Sequence, residues 1–284
     1  MVDWSAASVP KLGRDSIWMA RQRIGSPQPA QAPLNFSTRE LLLRAVVAMG
    51  EQANATGGRL LVGFDFAFAF PAGTAAALGR DVEDPRPPWL YTMQTIAQLI
   101  TDDDTNRNNR FQVGAQLNLR IAQNLDQPIE HAPFWGRLGG GHSAQTLSAL
   151  PIKKPVSTCL PQWRRVEGLL KSPQPGWKLA YAGSVGGQTL MGMHYLVKLR
   201  ERFGDTLAIW PFEPVGPDTA IILAEIYPSY WPLKVQEHQV KDANQVVQVC
   251  RELSQGDLAQ LTQTANLQAL DLEEEGWVLG VPPH

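Results

Sequence analysis

The sequence lacks the features of an exported or membrane-embedded protein. None of the apolar runs in its 284 residues reaches the roughly 20 residues that a membrane-spanning helix needs. Residues 1–4 have neither the basic nor the apolar segment of a signal peptide. The two cysteines, Cys159 and Cys250, lie far apart and outside any zinc-binding motif. We therefore expect a cytoplasmic protein with no membrane partner, no disulfide framework and no zinc site.

The sequence also lacks an excess of positive charge. Its 25 Lys and Arg residues stand against 27 Asp and Glu residues, which gives a net charge of -2. Overall charge therefore provides no attraction for nucleic acid, and binding would need a local basic patch. One basic stretch, residues 153–178, contains six Lys and Arg residues interleaved with two tryptophans. It is compatible with phosphate neutralisation and base stacking, and equally with a solvated loop that has packed tryptophans.

An apolar stretch at residues 58–73 carries a single carboxylate, Asp65. A run of this composition, ended by Pro71 and Gly73, predicts a strand buried on both faces in the middle of a sheet covered by helices. An ionised side chain in such a strand is costly unless it is paired, hydrogen-bonded or bound to a metal. Asp65 is therefore either a cap of the following turn or part of a functional site.

The elements before this strand predict an α/β layered domain. Residues 1–4 resemble the end of a strand, and residues 16–23 predict a second strand. A helix begins at Ser37, which has capping-box spacing to Glu40. Strand, strand, helix and buried strand in this order are typical of α/β layers.

The middle of the chain has a different pattern. Residues 73–204 contain predicted helices separated by long irregular segments, among them residues 102–104, which predict a solvated loop. Long loops inside a compact chain are usually functional or mobile. We interpret residues 73–204 as a helical and loop-rich insertion beside the active face of an α/β domain made of residues 1–72 and 205–284.

The sheet resumes after this insertion. Residues 206–213 and 219–227 predict two strands that could form a hairpin. A helix is predicted over residues 240–253, where Asp242, Val246 and Val249 fall on one face. Asp242 therefore heads an apolar stripe.

Four acids occupy positions where an apolar residue is expected: Asp3, Asp65, Glu225 and Asp242. Carboxylates gathered from neighbouring strands and a facing helix suit divalent cations, which can hold the attacking and leaving oxygens of a phosphodiester. Without metal the cluster would repel itself, so at least one carboxyl pKa should rise. We expect the four carboxylates to converge.

Short segments along most of the chain match a known family in order and spacing. They are Val2-Asp3-Trp4-Ser5, Val62-Gly63-Phe64-Asp65-Phe66, Arg165-Val166-Glu167, Gly183-Ser184-Val185-Gly186, Trp210-Pro211-Phe212-Glu213, Ala224-Glu225-Ile226-Tyr227-Pro228-Ser229, Lys241-Asp242-Ala243 and Gly276-Trp277. The chain thereby resembles bacterial proteins predicted to be RNase H-like nucleases. The resemblance implies an RNase H-like mixed central sheet flanked by helices. It also implies that the four acids bind Mg²⁺ or Mn²⁺ and are catalytic.

A substrate site is expected beside these acids. Trp163, Arg164 and Arg165 are predicted to lie on its rim, and Lys178 belongs to the same basic stretch. Free N–H groups could receive a phosphate where a glycine-containing turn opens a helix. That turn comprises Gly183, Ser184, Val185 and Gly186. A simple helix cap with close packing explains the same turn.

The leading function predicted from the sequence is metal-dependent hydrolysis of phosphodiester bonds in a nucleic acid or nucleotide. One alternative is nucleotide binding or phosphoryl transfer, because the wider group of folds with this sheet includes sugar kinases and ATPases. Another is a non-catalytic role in a cofactor pathway, since proteins of the resembled family are sometimes labelled as molybdopterin guanine dinucleotide synthesis proteins. Fold analogy alone does not choose between them.

Overall fold

The computed structural model describes residues 1–26, 31–138 and 147–283. Within these residues a mixed six-stranded sheet is flanked by helices, which confirms the α/β class. The sheet order is β3-β2-β1-β4-β6-β5. The strands are β1 (Val2–Asp3), β2 (Ile17–Met19), β3 (Leu34–Phe36), β4 (Leu60–Phe64), β5 (Leu207–Ile209) and β6 (Ile221–Glu225).

The sheet combines antiparallel and parallel pairing, and β2 is the one strand that runs opposite to the others in the described sheet. β1, β2 and β3 are antiparallel neighbours, whereas β1, β4, β6 and β5 run parallel to one another. The predicted hairpin after residue 206 is wrong, because β5 pairs with β6 in parallel, with Leu207 opposite Ile221. Every residue of β6 is buried. A strand buried on both faces is typical of the interior of a parallel sheet.

Seven α-helices accompany the sheet in the described residues. They are α1 (Arg39–Thr56), α2 (Thr74–Ala77), α3 (Pro88–Leu99), α4 (Arg110–Asn124), α5 (Gly186–Phe203), α6 (Lys241–Ser254) and α7 (Leu258–Leu261). None of the helices in this part of the chain combines the length and apolar character needed to cross a membrane.

The start of α1 differs from its predicted start. Thr38 is the N-cap, and its side chain accepts a hydrogen bond from the N–H of Leu41. The capping box predicted at Ser37 is therefore wrong by one residue. Gly57 ends the helix with φ 64°, in the left-handed region that glycine adopts without a Cβ penalty.

Side chains alternate between two buried layers. Val2, Phe64 and Leu223 point into a core shared with α3, α4 and α5. Met1, Ile222 and Ala224 point to the opposite face, where they pack with α6. Helices of residues 73–204 thus share a core with the sheet. The division into an α/β domain and an insertion stays a prediction.

A buried ion pair fixes the loop that follows β1. The Arg39 guanidinium donates to both carboxylate oxygens of Asp102 at 2.6 Å, and both side chains are fully buried. The same guanidinium donates to the backbone oxygens of Ser5 and Ala7 at 2.9 and 2.8 Å. The prediction that Asp102 belongs to a solvated loop is therefore wrong. It holds the Arg39 side chain that positions the chain immediately after Asp3.

Candidate acidic site

Asp3 and Asp65 meet at the carboxyl ends of two parallel strands. Asp3 ends β1, and Asp65 directly follows β4. Val2 is paired with Phe64, so the next residue of each strand points to the opposite face, toward α6. The two carboxyl groups lie within hydrogen-bonding contact. The N–H of Trp4 also donates to Asp65 Oδ1 at 2.6 Å, which fixes the Asp65 side chain against β1.

Both carboxyl groups resist ionisation. Burial, followed by the charge of Asp65, raises the pKa of Asp3 well above its ordinary value. Burial also raises the pKa of Asp65 to about 6, although the hydrogen bond from Trp4 opposes this rise. When two neighbouring carboxyls are removed from water, desolvation and mutual repulsion make it costly to ionise both. The pair therefore favours either a proton or a cation.

Asp242 adds a third negative charge to this face. It lies in the first turn of α6, and its charge raises the pKa values of both Asp3 and Asp65. Its Oδ2 accepts a hydrogen bond from the backbone N–H of Asp15 at 2.9 Å. Within the described residues, none of the three carboxylates forms an ion pair with Lys, Arg or His. The cluster is therefore an uncompensated acidic site.

The structure does not bring Glu225 into this cluster. Glu225 is paired with Phe64 in the sheet, so its side chain lies on the face opposite Asp65. Arg164 donates to its two carboxylate oxygens at 2.6 and 2.7 Å, and the N–H of Phe68 donates at 2.9 Å. The expectation that all four acids converge is therefore wrong, because Glu225 lies on the other face of the sheet. The fourth acid is neutralised by a buried arginine.

Arg164 consequently does not lie on a solvent-facing rim. It is 3% exposed and also donates to Glu167 at 3.1 Å. Arg165 donates from its backbone N–H to Glu275 at 2.7 Å and from its side chain to Asp271 at 2.9 Å. Of the three residues predicted on the rim, Trp163 is the exposed one, with 39% of its surface accessible. The arginines at the centre of the basic stretch thus hold buried acids of this chain.

The turn of Gly183, Ser184, Val185 and Gly186 is used mainly for packing. The N–H groups of Ser184 and Gly186 donate to the backbone oxygens of Tyr181 and Lys178 at 3.0 and 2.9 Å. A Cβ on Gly186 would lie 2.2 Å from a backbone oxygen. Lys178 donates from Nζ to the oxygen of Ala182 at 2.6 Å. Neither N–H group is free for a phosphate.

The donors of the acidic site suit a hard divalent cation. The described residues contain no group of three or more His, Cys, Asp or Glu side chains that could hold a metal ion. Mg²⁺ commonly binds through one or two carboxylates, together with water and substrate phosphates. The close pair of Asp3 and Asp65 matches that smaller donor set. It also carries the negative charge that such an ion would compensate.

Sequence reasoning missed the residues that support the acids from a distance. The Asp15 N–H that binds Asp242 comes from a chain position 227 residues away. Gln188 donates from Nε2 to the oxygen of Trp4 at 2.6 Å, which ties α5 to the end of β1. Arg110, at the start of α4, is buried near the same loop. No local pattern marks these residues, because each contact depends on chain folding.

No protein-family model matches this chain, and searches of curated proteins and of solved structures return no match. A function assigned to this chain therefore rests on its own residues and their geometry.

Proposed function

We propose that this protein hydrolyses phosphodiester bonds of a nucleic acid, using Mg²⁺ or Mn²⁺ held by Asp3 and Asp65. The observation that carries the proposal is the close carboxyl pair, with Asp242 nearby and no described cationic side chain to neutralise it. Proteins rarely retain buried like charges without a cation or a function.

The electrostatics of the pair support cation binding. Asp3 and Asp65 bind a proton more tightly than ordinary carboxyls do. The same negative potential would attract a divalent cation to their oxygens. Such an ion polarises a phosphoryl oxygen and lowers the pKa of a bound water. The chain itself orients the pair, because Trp4 donates to Asp65 and the Arg39–Asp102 ion pair holds the loop after β1.

Strand order supports an RNase H-like fold as part of the proposal. Three antiparallel strands lead into parallel ones, and the two closest acids lie at the carboxyl ends of the adjacent parallel strands β1 and β4. Asp242 reaches the same face from α6. Glu225 is assigned a structural part, in which its ion pair with Arg164 holds the backbone of Phe68 after β4.

Phosphoryl transfer through the turn before α5 is less well supported, because the N–H groups of Ser184 and Gly186 bond to the chain itself. A role in cofactor synthesis is favoured by no specific contact in the described residues. The acidic pair therefore supports hydrolysis better than either alternative.

The proposal is tested with fluorescent single-stranded RNA, single-stranded DNA, duplex DNA and RNA–DNA hybrid substrates. We expect cleavage of at least one substrate with Mn²⁺ or Mg²⁺ and none with EDTA. Asp65→Asn should abolish cleavage, whereas Asp218→Asn, which alters an exposed aspartate, should leave it unchanged. Metal-independent cleavage, or full activity of folded Asp65→Asn, would refute the proposal.

A further inference from the structure

A cavity of about 310 Å³ lies where the loop after β1 meets α4 and α5. Its walls include the loop after β1, the start of α4 and the first turn of α5, through Ser5, Arg110, Ser184, Gly187 and Gln188. The hydrogen bond from Gln188 Nε2 to the oxygen of Trp4 connects this wall to the residue after Asp3. The backbone of Trp4 is thus hydrogen-bonded both to the cavity wall, through Gln188, and to Asp65.

Arg110 is a buried cation without a carboxylate partner. Its side chain is 9% exposed, and its Nη1 donates to Ser8 Oγ and Asn108 Oδ1 at 2.7 and 2.8 Å. Its Nε is buried and has no hydrogen-bond partner among the described residues. Asp102, a nearby acid, is already taken up by Arg39. Burial and the charge of Arg39 lower the pKa of Arg110 to about 10, so it is still charged at neutral pH.

The first turn of α5 adds a second electropositive feature. α5 has 18 residues, and no side chain caps its start. The described residues offer no acceptor to the N–H groups of Gly187 and Gln188, as is usual for the first turn of an uncapped helix. A Cβ on Gly187 would lie 3.3 Å from Arg110 Nε. The unpartnered atom of Arg110 and the positive end of the helix dipole therefore meet at one place.

We propose that this cavity binds a phosphate group between Arg110 and the first turn of α5. A phosphate has several acceptor oxygens, so it can take a charge-assisted hydrogen bond from the guanidinium and further bonds from helical N–H groups. It would also compensate the charge that Arg110 buries. The glycine at position 187 lets the Arg110 side chain pack against the first turn of α5, since any larger residue would press on Arg110.

The identity of the phosphate rests on the proposed function. If the acidic site cuts a nucleic acid, the cavity holds another phosphate of the same strand, because the backbone of Trp4 is hydrogen-bonded both to Asp65 and to Gln188 of the cavity wall. Binding of the anion itself depends on Arg110 and α5 and does not require hydrolysis.

Inorganic phosphate is the probe for the test. Calorimetric titration into the metal-free protein should show binding by wild type and at least about tenfold weaker binding by Arg110→Gln, since a hydrogen bond to a charged group is lost. Arg107→Gln is the matched control, because Arg107 is an exposed arginine in the loop just before α4. The phosphate affinity of this variant should equal that of wild type. Equal binding by folded Arg110→Gln would overturn the proposal.

Two further measurements keep the test decisive. Should Arg110→Gln fail to fold, amide resonances of wild type are followed during the phosphate titration, and those of Gly187 and Gln188 should shift most. Shifts confined to other residues, or the absence of binding, would overturn the proposal. Asp65→Asn should still bind phosphate. Phosphate binding without hydrolysis would therefore refute the nuclease proposal alone, and hydrolysis without phosphate binding would refute this one alone.

Discussion

Replacing Asp65 by asparagine should stabilise the metal-free protein at neutral pH. The Asn side chain keeps an oxygen that can accept the Trp4 N–H, and its amide nitrogen can donate to Asp3. The ordinary pKa of 3.8 is raised to about 6 in the folded protein, which corresponds to about 3 kcal/mol of unfavourable ionisation. Asp65 is only half-buried, so we reduce this to about 2 kcal/mol to allow for solvent screening.

The sign of the pH dependence follows from the raised pKa. Below about pH 4 the carboxyl is protonated in both the folded and unfolded states, so wild type and Asp65→Asn should have similar stability. Between about pH 4 and pH 6 the unfolded state ionises while the folded state keeps its proton, so wild type loses stability relative to the variant over this interval and the difference is constant at higher pH. At pH 7.5 the variant should melt roughly 4 °C higher than wild type.

The assay is thermal and urea unfolding of both proteins with EDTA at several pH values between about 3 and 7.5. Asp218→Asn, at an exposed position, controls for the loss of one surface charge and should stay close to wild type throughout. A folded Asp65→Asn that is less stable than wild type at pH 7.5 would contradict the reasoning. It would mean that the carboxylate serves as a turn cap.

Other substitutions test the surrounding structure. Arg164→Met removes the partner of two buried carboxylates, so the free energy of unfolding should fall by about 3–5 kcal/mol in urea titrations; a loss below 1 kcal/mol would contradict the buried ion pairs. Gly186→Ala places a Cβ 2.2 Å from a backbone oxygen and should lower the melting temperature strongly, whereas Gly216→Ala, with open space around it, should be neutral. Thr38→Ala should cost about 1 kcal/mol through the lost cap, and Ser37→Ala should cost less; the reverse order would restore the predicted capping box.

Much of the framework could be predicted from the sequence. The strand before Asp65 is recognisable from its apolar run, although it ends at Phe64 instead of continuing toward Pro71, and α6 is recognisable from the spacing of its apolar residues. β3 was not predicted, because its three residues follow a proline-rich segment and carry no distinct alternation. The parallel pairing of β5 and β6 was also missed, since the sequence between them contains ordinary turn residues.

Glu225 illustrates why the site could be predicted only in part. It ends a strand in which all the preceding residues are apolar. The sequence therefore has no alternation that shows which face the Glu225 side chain takes. One residue of register decides between the face of Asp65 and the face of Arg164. Arg164 is 61 residues from Glu225 in the chain, and nothing local to either residue announces their pairing. A glutamate at the end of an apolar strand indicates an unusual position, but only the fold shows that Glu225 pairs with Arg164.

The most direct test of the central claim is calorimetric titration of Mn²⁺ into wild type, Asp65→Asn and Asp218→Asn at pH 7.5. If Asp3 and Asp65 hold the cation, wild type and Asp218→Asn should bind Mn²⁺ with equal affinity, and Asp65→Asn should bind at least about tenfold more weakly because one of two charged ligands is lost. Unchanged Mn²⁺ affinity in folded Asp65→Asn, or no binding by wild type, would contradict the account.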